Sequence, residues 1–343
     1  MFSTARLKHL TAKNRIIRSA TNDHLGNPDG TVSDEEIAMY DTLAANDVGT
    51  IITGHLSVSP DLDYRADEMQ LCIGDDRFIE GLSLIPAKIH EYGAIAIAQI
   101  SLAGPKGLTP FDFNTLSTEK MQEIRDWFIR AAVRSKKAGF DGVQVHVAHW
   151  YFLQAVVNIN LNHRTDLYGG SPENCIRLPK EIIAGIREAC GDDFILMVKV
   201  NAHNSDDKDD YDLLTFYCRE LLAAGVDLVE VSGVDFMKQA RTDSLYYLDA
   251  IKYLRREIPG ITLSLVGGIF SKETIEEALE TTDFVSLSRT LLTQPDFLTK
   301  LKAGEVEKSR CLHCNKCFEI FKTKYERCVF GPVLPKLQKE FGA

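Results

Sequence analysis

The sequence predicts an α/β protein, a single-domain (β/α)8 TIM barrel, and three observations predict it. Short β-branched runs occur eight times, capped helical stretches lie between most of them, and the runs end in polar residues. A doubly wound sheet is the main competitor for such an alternation. In order, the runs are residues 15–18, 49–52, 94–98, 142–145, 195–198, 228–231, 262–266 and 284–287. Between them, Ser33 before Asp34-Glu35-Glu36 reads as a capping box, in which a hydroxyl and a carboxylate satisfy two orphan N–H groups. Ser117 caps a helix opening at Thr118, and Ser171 precedes a proline, Pro172, at a first helical position. Gly139 and Gly225 stand where helices should stop. Residues 1–305 are read as the barrel and 306–343 as a distinct tail.

A chain of 343 residues fits one large barrel, and 45% hydrophobic with 26% charged residues supports a sizeable core. The net charge of −10, with Lys and Arg scattered among acids, argues against a nucleic-acid or anionic-membrane surface. The first nine residues lack the apolar stretch of a secretion signal, and no later run is long enough to span a bilayer. A cytoplasmic enzyme is expected. No G-x-G-x-x-G segment occurs, so no separate nicotinamide domain is expected. Cys72, Cys175, Cys190 and Cys218 are scattered, whereas Cys311, Cys314, Cys317 and Cys328 cluster. Without a secretion signal, that cluster reads as metal-binding or redox-active rather than as a disulfide scaffold.

A barrel of this kind carries its chemistry at the C-terminal strand ends. Those ends hold Ser19 and Thr21; Thr53 and His55; Gln99; His146 and His149; Lys199 and Asn201; and Ser232. Gly267-Gly268 after the seventh run and Ser288-Arg289 after the eighth suit a phosphate: backbone N–H groups approach closely at glycine, beside a cation. His146 and His149, followed by Tyr151, suit a site that grips a carbonyl oxygen and supplies a proton. The plainer readings of the pair are core histidines or half of a metal site.

At this point the chain resembles the Old Yellow Enzyme family of FMN-dependent ene reductases (NADH:flavin oxidoreductases). The resemblance runs from Asn14 to Arg289 and is densest at residues 139–149 and 164–174, Arg-Thr-Asp-Leu-Tyr-Gly-Gly-Ser-Pro-Glu-Asn. It implies FMN as cofactor, NAD(P)H as reductant and a small α,β-unsaturated carbonyl compound as substrate, in a ping-pong cycle. Ser19, Ala20 and Thr21 would line the flavin near its reactive N5, and Gln99 would bond its pyrimidine edge. His55 falls near a small flavin-contacting position, Lys199 by N1 and C2=O, and Gly267, Gly268, Ser288 and Arg289 at the phosphate. His146 and His149 would hold the substrate carbonyl, and Tyr151 would act as general acid. Arg164 and Asp166 are placed for a structural ion pair.

Several positions depart from the family pattern. Asn22 replaces a cysteine or threonine, Trp150 a glycine, Lys199 an arginine, and residues 158–162 a Ser-Pro-rich stretch. Residues 102–116 are short for the family's lid, which leaves the site either more open or roofed by another subunit of a homo-oligomer. The cysteine tail resembles the iron–sulfur loop of the 2,4-dienoyl-CoA reductase branch, so that Cys311, Cys314, Cys317 and Cys328 could bind a [4Fe-4S] cluster, zinc or nothing. Two other functions stay open: a flavin-binding NADH oxidase or redox module without ene reductase activity, and a non-redox barrel enzyme acting on a phosphorylated metabolite.

Overall fold

The computed structural model describes residues 1–104, 112–203, 211–239 and 243–315, together with Cys317 and Cys328. The N-terminal strands β1 (Ala5–Leu7) and β2 (Leu10–Ala12) form an antiparallel hairpin. The barrel strands are β3 (Ile16–Arg18), β4 (Thr50–Ile52), β6 (Ile95–Ser101), β7 (Gly142–Val147), β8 (Ile195–Asn201), β9 (Leu228–Ser232), β10 (Leu263–Val266) and β11 (Phe284–Leu287). Short β5 (Leu56–Ser57) extends the edge beside β6. Each barrel strand pairs in parallel with the next, β4 pairs with β6, and β11 returns to β3, so the sheet closes. All eight runs are barrel strands, and the doubly wound alternative fails because such a sheet keeps two open edges.

Helices α1 (Asp34–Ala45), α2 (Ile79–His90), α3 (Thr118–Lys137), α4 (Phe152–Val157), α5 (Pro172–Cys175) and α6 (Arg177–Cys190) cover the first half. The second half is covered by α7 (Tyr211–Ala223), α8 (Leu248–Glu257), α9 (Lys272–Leu279), α10 (Arg289–Thr293) and α11 (Phe297–Lys302). None of the described helices is long and apolar enough to cross a membrane. Ser117 and Ser171 cap α3 and α5, and Gly139 and Gly225 take positive φ beyond helix ends, as expected. The capping box at Ser33 forms only by half. Its hydroxyl accepts the Glu36 N–H, but the Glu36 side chain is buried beside Asp23, where burial raises its pKa well above the usual range.

Three strand entrances repeat one device. Asp141, Asp227 and Asp283, each just before a strand, accept the N–H of Ala96, Leu196 and Leu263 on or at the neighbouring strand, at 2.8, 2.8 and 2.9 Å. Their basic partners are His90, Arg187 and Arg255. Above these entrances the barrel interior is apolar, packing Ile17, Ile52, Ile97, Met197 and Phe284 together. Leu7 and Ala12 of the hairpin belong to the same cluster, so the hairpin plugs the bottom of the barrel. That plug was not expected from the sequence.

Strands β6 and β8 run three residues past the expected ends, to Ser101 and Asn201. Their last inward positions are polar, which interrupts the apolar pattern but not the pairing. Those positions start the site. Part of the expected lid, residues 105–111, lies outside the described residues.

Candidate active site

Above the apolar plug, alternate positions of adjacent strands face one another inside the barrel. Gln99 is the register partner of Gln144, His146 of Lys199, and Lys199 of Glu230. All five are buried, and Glu230 is 0% exposed. A buried carboxylate persists only with partners. Glu230 has Lys199 Nζ at 3.1 Å and accepts Gln144 Nε2 at 2.8 Å. Burial opposes ionisation of both members. The ammonium nevertheless holds the Glu230 carboxyl below its usual range, while burial leaves Lys199 lowered despite the carboxylate. Lys199 Nζ also donates to Ser19 Oγ at 2.8 Å.

Glu230 gives this network a direction. A carboxylate only accepts, so Gln144 turns its amide nitrogen toward it and its oxygen toward Gln99 Nε2, at 2.6 Å. Gln99 then presents its oxygen to His146 Nδ1 at 3.0 Å. His146 therefore carries its proton on Nδ1, and Nε2 is a buried nitrogen without a hydrogen-bond partner. Burial and the neighbouring His149, His55 and Lys199 push its pKa well below the usual imidazole value, so the ring is neutral.

After β7 the chain reverses through two successive left-handed residues, His149 (φ 62°) and Trp150 (φ 66°). The His149 amide donates to Asn201 Oδ1 at 3.2 Å, and its Nε2 lies 2.8 Å from Ser232 Oγ. Burial, then Lys199 and His55, lower His149 to about 3. The reversal brings Tyr151 onto His146, with ring centroids 4.7 Å apart, and leaves Trp150 59% exposed at the rim. Tyr151 Oη lies 3.2 Å from His55 Nε2.

One cavity of about 390 Å³ gathers the expected residues, within the usual size of a small-molecule site. Ser19, Ala20, Thr21, His55, Gln99 and Lys199 line it, as do His146, His149 and Tyr151. Gly267, Gly268, Ser288 and Arg289 line it from the last two strands. Thr21 Oγ1 lies 3.0 Å from Ser288 Oγ and ties the first and last barrel strands there. The glycines have a further reason to be small. A Cβ on Gly268 would come within 2.7 Å of the Leu245 nitrogen, and one on Gly267 within 3.0 Å of the Tyr247 ring. The expectation named only a phosphate; the loop at 245–247 also needs the space.

Among the described residues Cys311, Cys314, Cys317 and Cys328 form no disulfide, and no three His, Cys, Asp or Glu side chains are grouped to hold a metal. Left-handed turns at His313 (φ 49°) and Asn315 (φ 59°) direct these two residues to the site. His313 lines the cavity and packs edge-on against Phe270 at 4.2 Å, and Asn315 Oδ1 accepts from Arg289 Nη1. The segment is held on the barrel by the bond from Ser309 N–H to Phe270 C=O at 2.8 Å. Gln144, Glu230, Ser232, Asn201, Gln70 and Ser101 complete the site. Of these, Asn201 and Ser232 were expected only as polar strand ends. Gln144 and Glu230 were signalled by a polar residue flanked by valines inside a strand, whereas Gln70 lies in a loop with no such signal.

The sequence profile of the NADH:flavin oxidoreductase / NADH oxidase family matches residues 1–112 and 106–308. The chain belongs to this family. An NADH oxidase of Thermoanaerobacter brockii is 30% identical over 97% of this chain, which spans 56% of that relative's length. Among solved structures, a 2-naphthoyl-CoA reductase complex superposes with a TM-score of 0.87 at 19% identity, over 99% of this chain and 57% of its own. An old yellow enzyme homologue from Zymomonas mobilis gives 0.79 at 20% identity, over 98% and 97%. Family membership bears out the Old Yellow Enzyme resemblance, removes the non-redox alternative, and brings FMN and a nicotinamide reductant. The cavity fits that cofactor. On one side His146 Nε2 is an orphaned buried nitrogen; on the opposite side of the barrel Arg289 makes no ion pair with a described carboxylate.

Proposed function

We propose that this protein uses FMN and NAD(P)H to reduce the C=C bond of an α,β-unsaturated carbonyl compound in a ping-pong cycle. The observation that supports it is the convergence of Tyr151, His146 and His149 on a cavity also lined by Gln99 and Lys199. FMN would be held by Ser19, Ala20, Thr21, Gln99 and Lys199 around the ring, and by Gly267, Gly268, Ser288 and Arg289 at the phosphate. When bound, it supplies the hydride, taken from the nicotinamide and passed to the substrate β-carbon.

This chain's own residues do the rest. His149, with Ser232 on its Nε2, and His146 hold the carbonyl oxygen, where negative charge develops. As it stands His146 offers a lone pair at Nε2. It can donate there only in the opposite tautomer, which requires Gln99 to release Nδ1; engagement of the Gln99 amide by a ligand would free it. Tyr151 delivers the proton to the α-carbon. Lys199, paired with Glu230, would favour negative charge on a flavin ring held beside it.

Stopped-flow separation of the half-reactions tests this reading. Tyr151→Phe should slow oxidation by a simple enone by about 10²–10⁴ and flavin reduction far less. Equal slowing of both would mean that Tyr151 only shapes the pocket. A second reading, an oxidase that hands its electrons to oxygen, is favoured by the name of the Thermoanaerobacter brockii relative. It predicts reoxidation by oxygen and indifference to enones.

A further inference from the structure

His55 was expected beside the flavin, yet its strongest contacts lead elsewhere. Four residues from three segments meet around its ring: Gln70, Ser101, and the pair Tyr151 and His146. His55, Gln70 and Ser101 are all buried, so water does not replace their mutual bonds.

The decisive group is the Gln70 amide, because backbone partners of opposite character fix both of its ends. Its oxygen lies 2.6 Å from the Ala66 N–H, which can only donate. Its nitrogen lies 2.9 Å from the His55 carbonyl, which can only accept. Flipping the amide would lose both bonds and oppose like groups. The same nitrogen is 2.6 Å from His55 Nδ1, so Nδ1 receives an N–H and carries no proton of its own. Ser101 Oγ, 2.8 Å from Nδ1, then shares that lone pair as a second donor. An imidazolium, which needs a proton on Nδ1, is incompatible with this arrangement. Burial agrees, lowering His55 to about 4, with Asp67 opposing and His24 and Lys199 assisting. A neutral ring with a bare Nδ1 bears its proton on Nε2, the atom 3.2 Å from Tyr151 Oη.

We infer that His55, locked by Gln70 as the Nε2–H tautomer, donates to the Tyr151 oxygen and is the positioning residue that makes Tyr151 an effective acid. The inference rests on Tyr151 being the proton donor proposed above. A phenol oxygen that accepts from His55 does not use its own proton on that bond. When the carbanionic electron pair at the substrate α-carbon takes the proton, a C–H bond forms and the O–H bond breaks. Its electron pair stays on the phenolate oxygen, which faces an N–H donor already in place. Solvent returns the proton before the next turnover. Hydrogen bonds to a charged acceptor are the stronger ones, so losing this one should slow proton delivery by about 10–10².

The test is a double-mutant cycle on the FMN-loaded protein, read as the rate of reoxidation by a simple enone. His55→Phe keeps the edge-on ring contact with Tyr151 and removes the N–H. Alone it should slow reoxidation by about 10–10²; in a Tyr151→Phe background its further effect should be less than about twofold. Equal slowing in both backgrounds would overturn the role of His55 and leave Tyr151 as the acid. Full activity of Tyr151→Phe alone would instead remove the reading beneath it. The unmutated protein gives an independent check. In ¹⁵N spectra of labelled histidine, the ring whose signals His55→Phe removes should carry its proton on Nε2. A proton on Nδ1 would overturn the inference whatever the variants do.

Discussion

Trp150 carries two local costs in one residue. It sits in the left-handed region, which disfavours side chains by about 1–2 kcal/mol, and its indole is 59% exposed, so burial offsets little of that. Trp150→Gly should therefore stabilise the fold by about 1 kcal/mol, seen as a higher denaturation midpoint at unchanged slope. A lower midpoint would show that the indole packs at the rim in a way its exposure conceals. Arg289 makes the complementary case. Its recorded partners are the Asn315 amide and, 5.6 Å away, the Phe236 ring, neither of which neutralises its charge. Arg289→Ala should weaken FMN retention on desalting by about tenfold or more, since a charge-assisted pair with phosphate is lost. Unchanged retention would move the phosphate away from α10.

At the scale of elements, the strand ends were legible because chemistry and periodicity coincide there. His146 and His149 end a β-branched run, and so do Lys199 and Gly267-Gly268. The hairpin at residues 5–12 was not legible, because strands of three residues carry no period to read, and only closure of the barrel gives Leu7 a core to fill. The half-formed capping box at Ser33 failed for a similar reason: the tertiary neighbour Asp23 claims Glu36. In the cysteine tail, spacing alone could not tell which residues the turns at His313 and Asn315 direct inward. The repeated Asp141, Asp227 and Asp283 device was present in the sequence as an aspartate one residue or less before each strand. Its function is to tie strand to strand. Asp227 bonds the Leu196 N–H and pairs with both Arg187 and Lys8, so Asp227→Ala leaves that N–H unbonded and takes the carboxylate from both cations. It should cost about 2–4 kcal/mol in chemical denaturation, well above a surface substitution. A loss under about 0.5 kcal/mol would mean that water replaces the carboxylate.

Across the whole molecule, the apolar plug closes the barrel below and leaves a polar layer above it with one fixed direction of hydrogen bonding. From Glu230 through Gln144 and Gln99 to His146, every donor is assigned by the acceptor one step nearer Glu230. From Gln70 through His55 to Tyr151, a second relay enters from the loop side. The two meet where His146 and Tyr151 lie ring to ring. That is where a substrate carbonyl and its α-carbon would be received. That this meeting point reduces an activated alkene is tested most directly by anaerobic mixing. FMN-loaded protein is reduced with one equivalent of NAD(P)H and mixed with a simple enone or with the corresponding saturated ketone, while the flavin absorbance is followed. Rapid return of the oxidised spectrum is expected with the enone and none with the saturated ketone. A reduced flavin that persists in the presence of the enone, yet reoxidises promptly when oxygen is admitted, would contradict it.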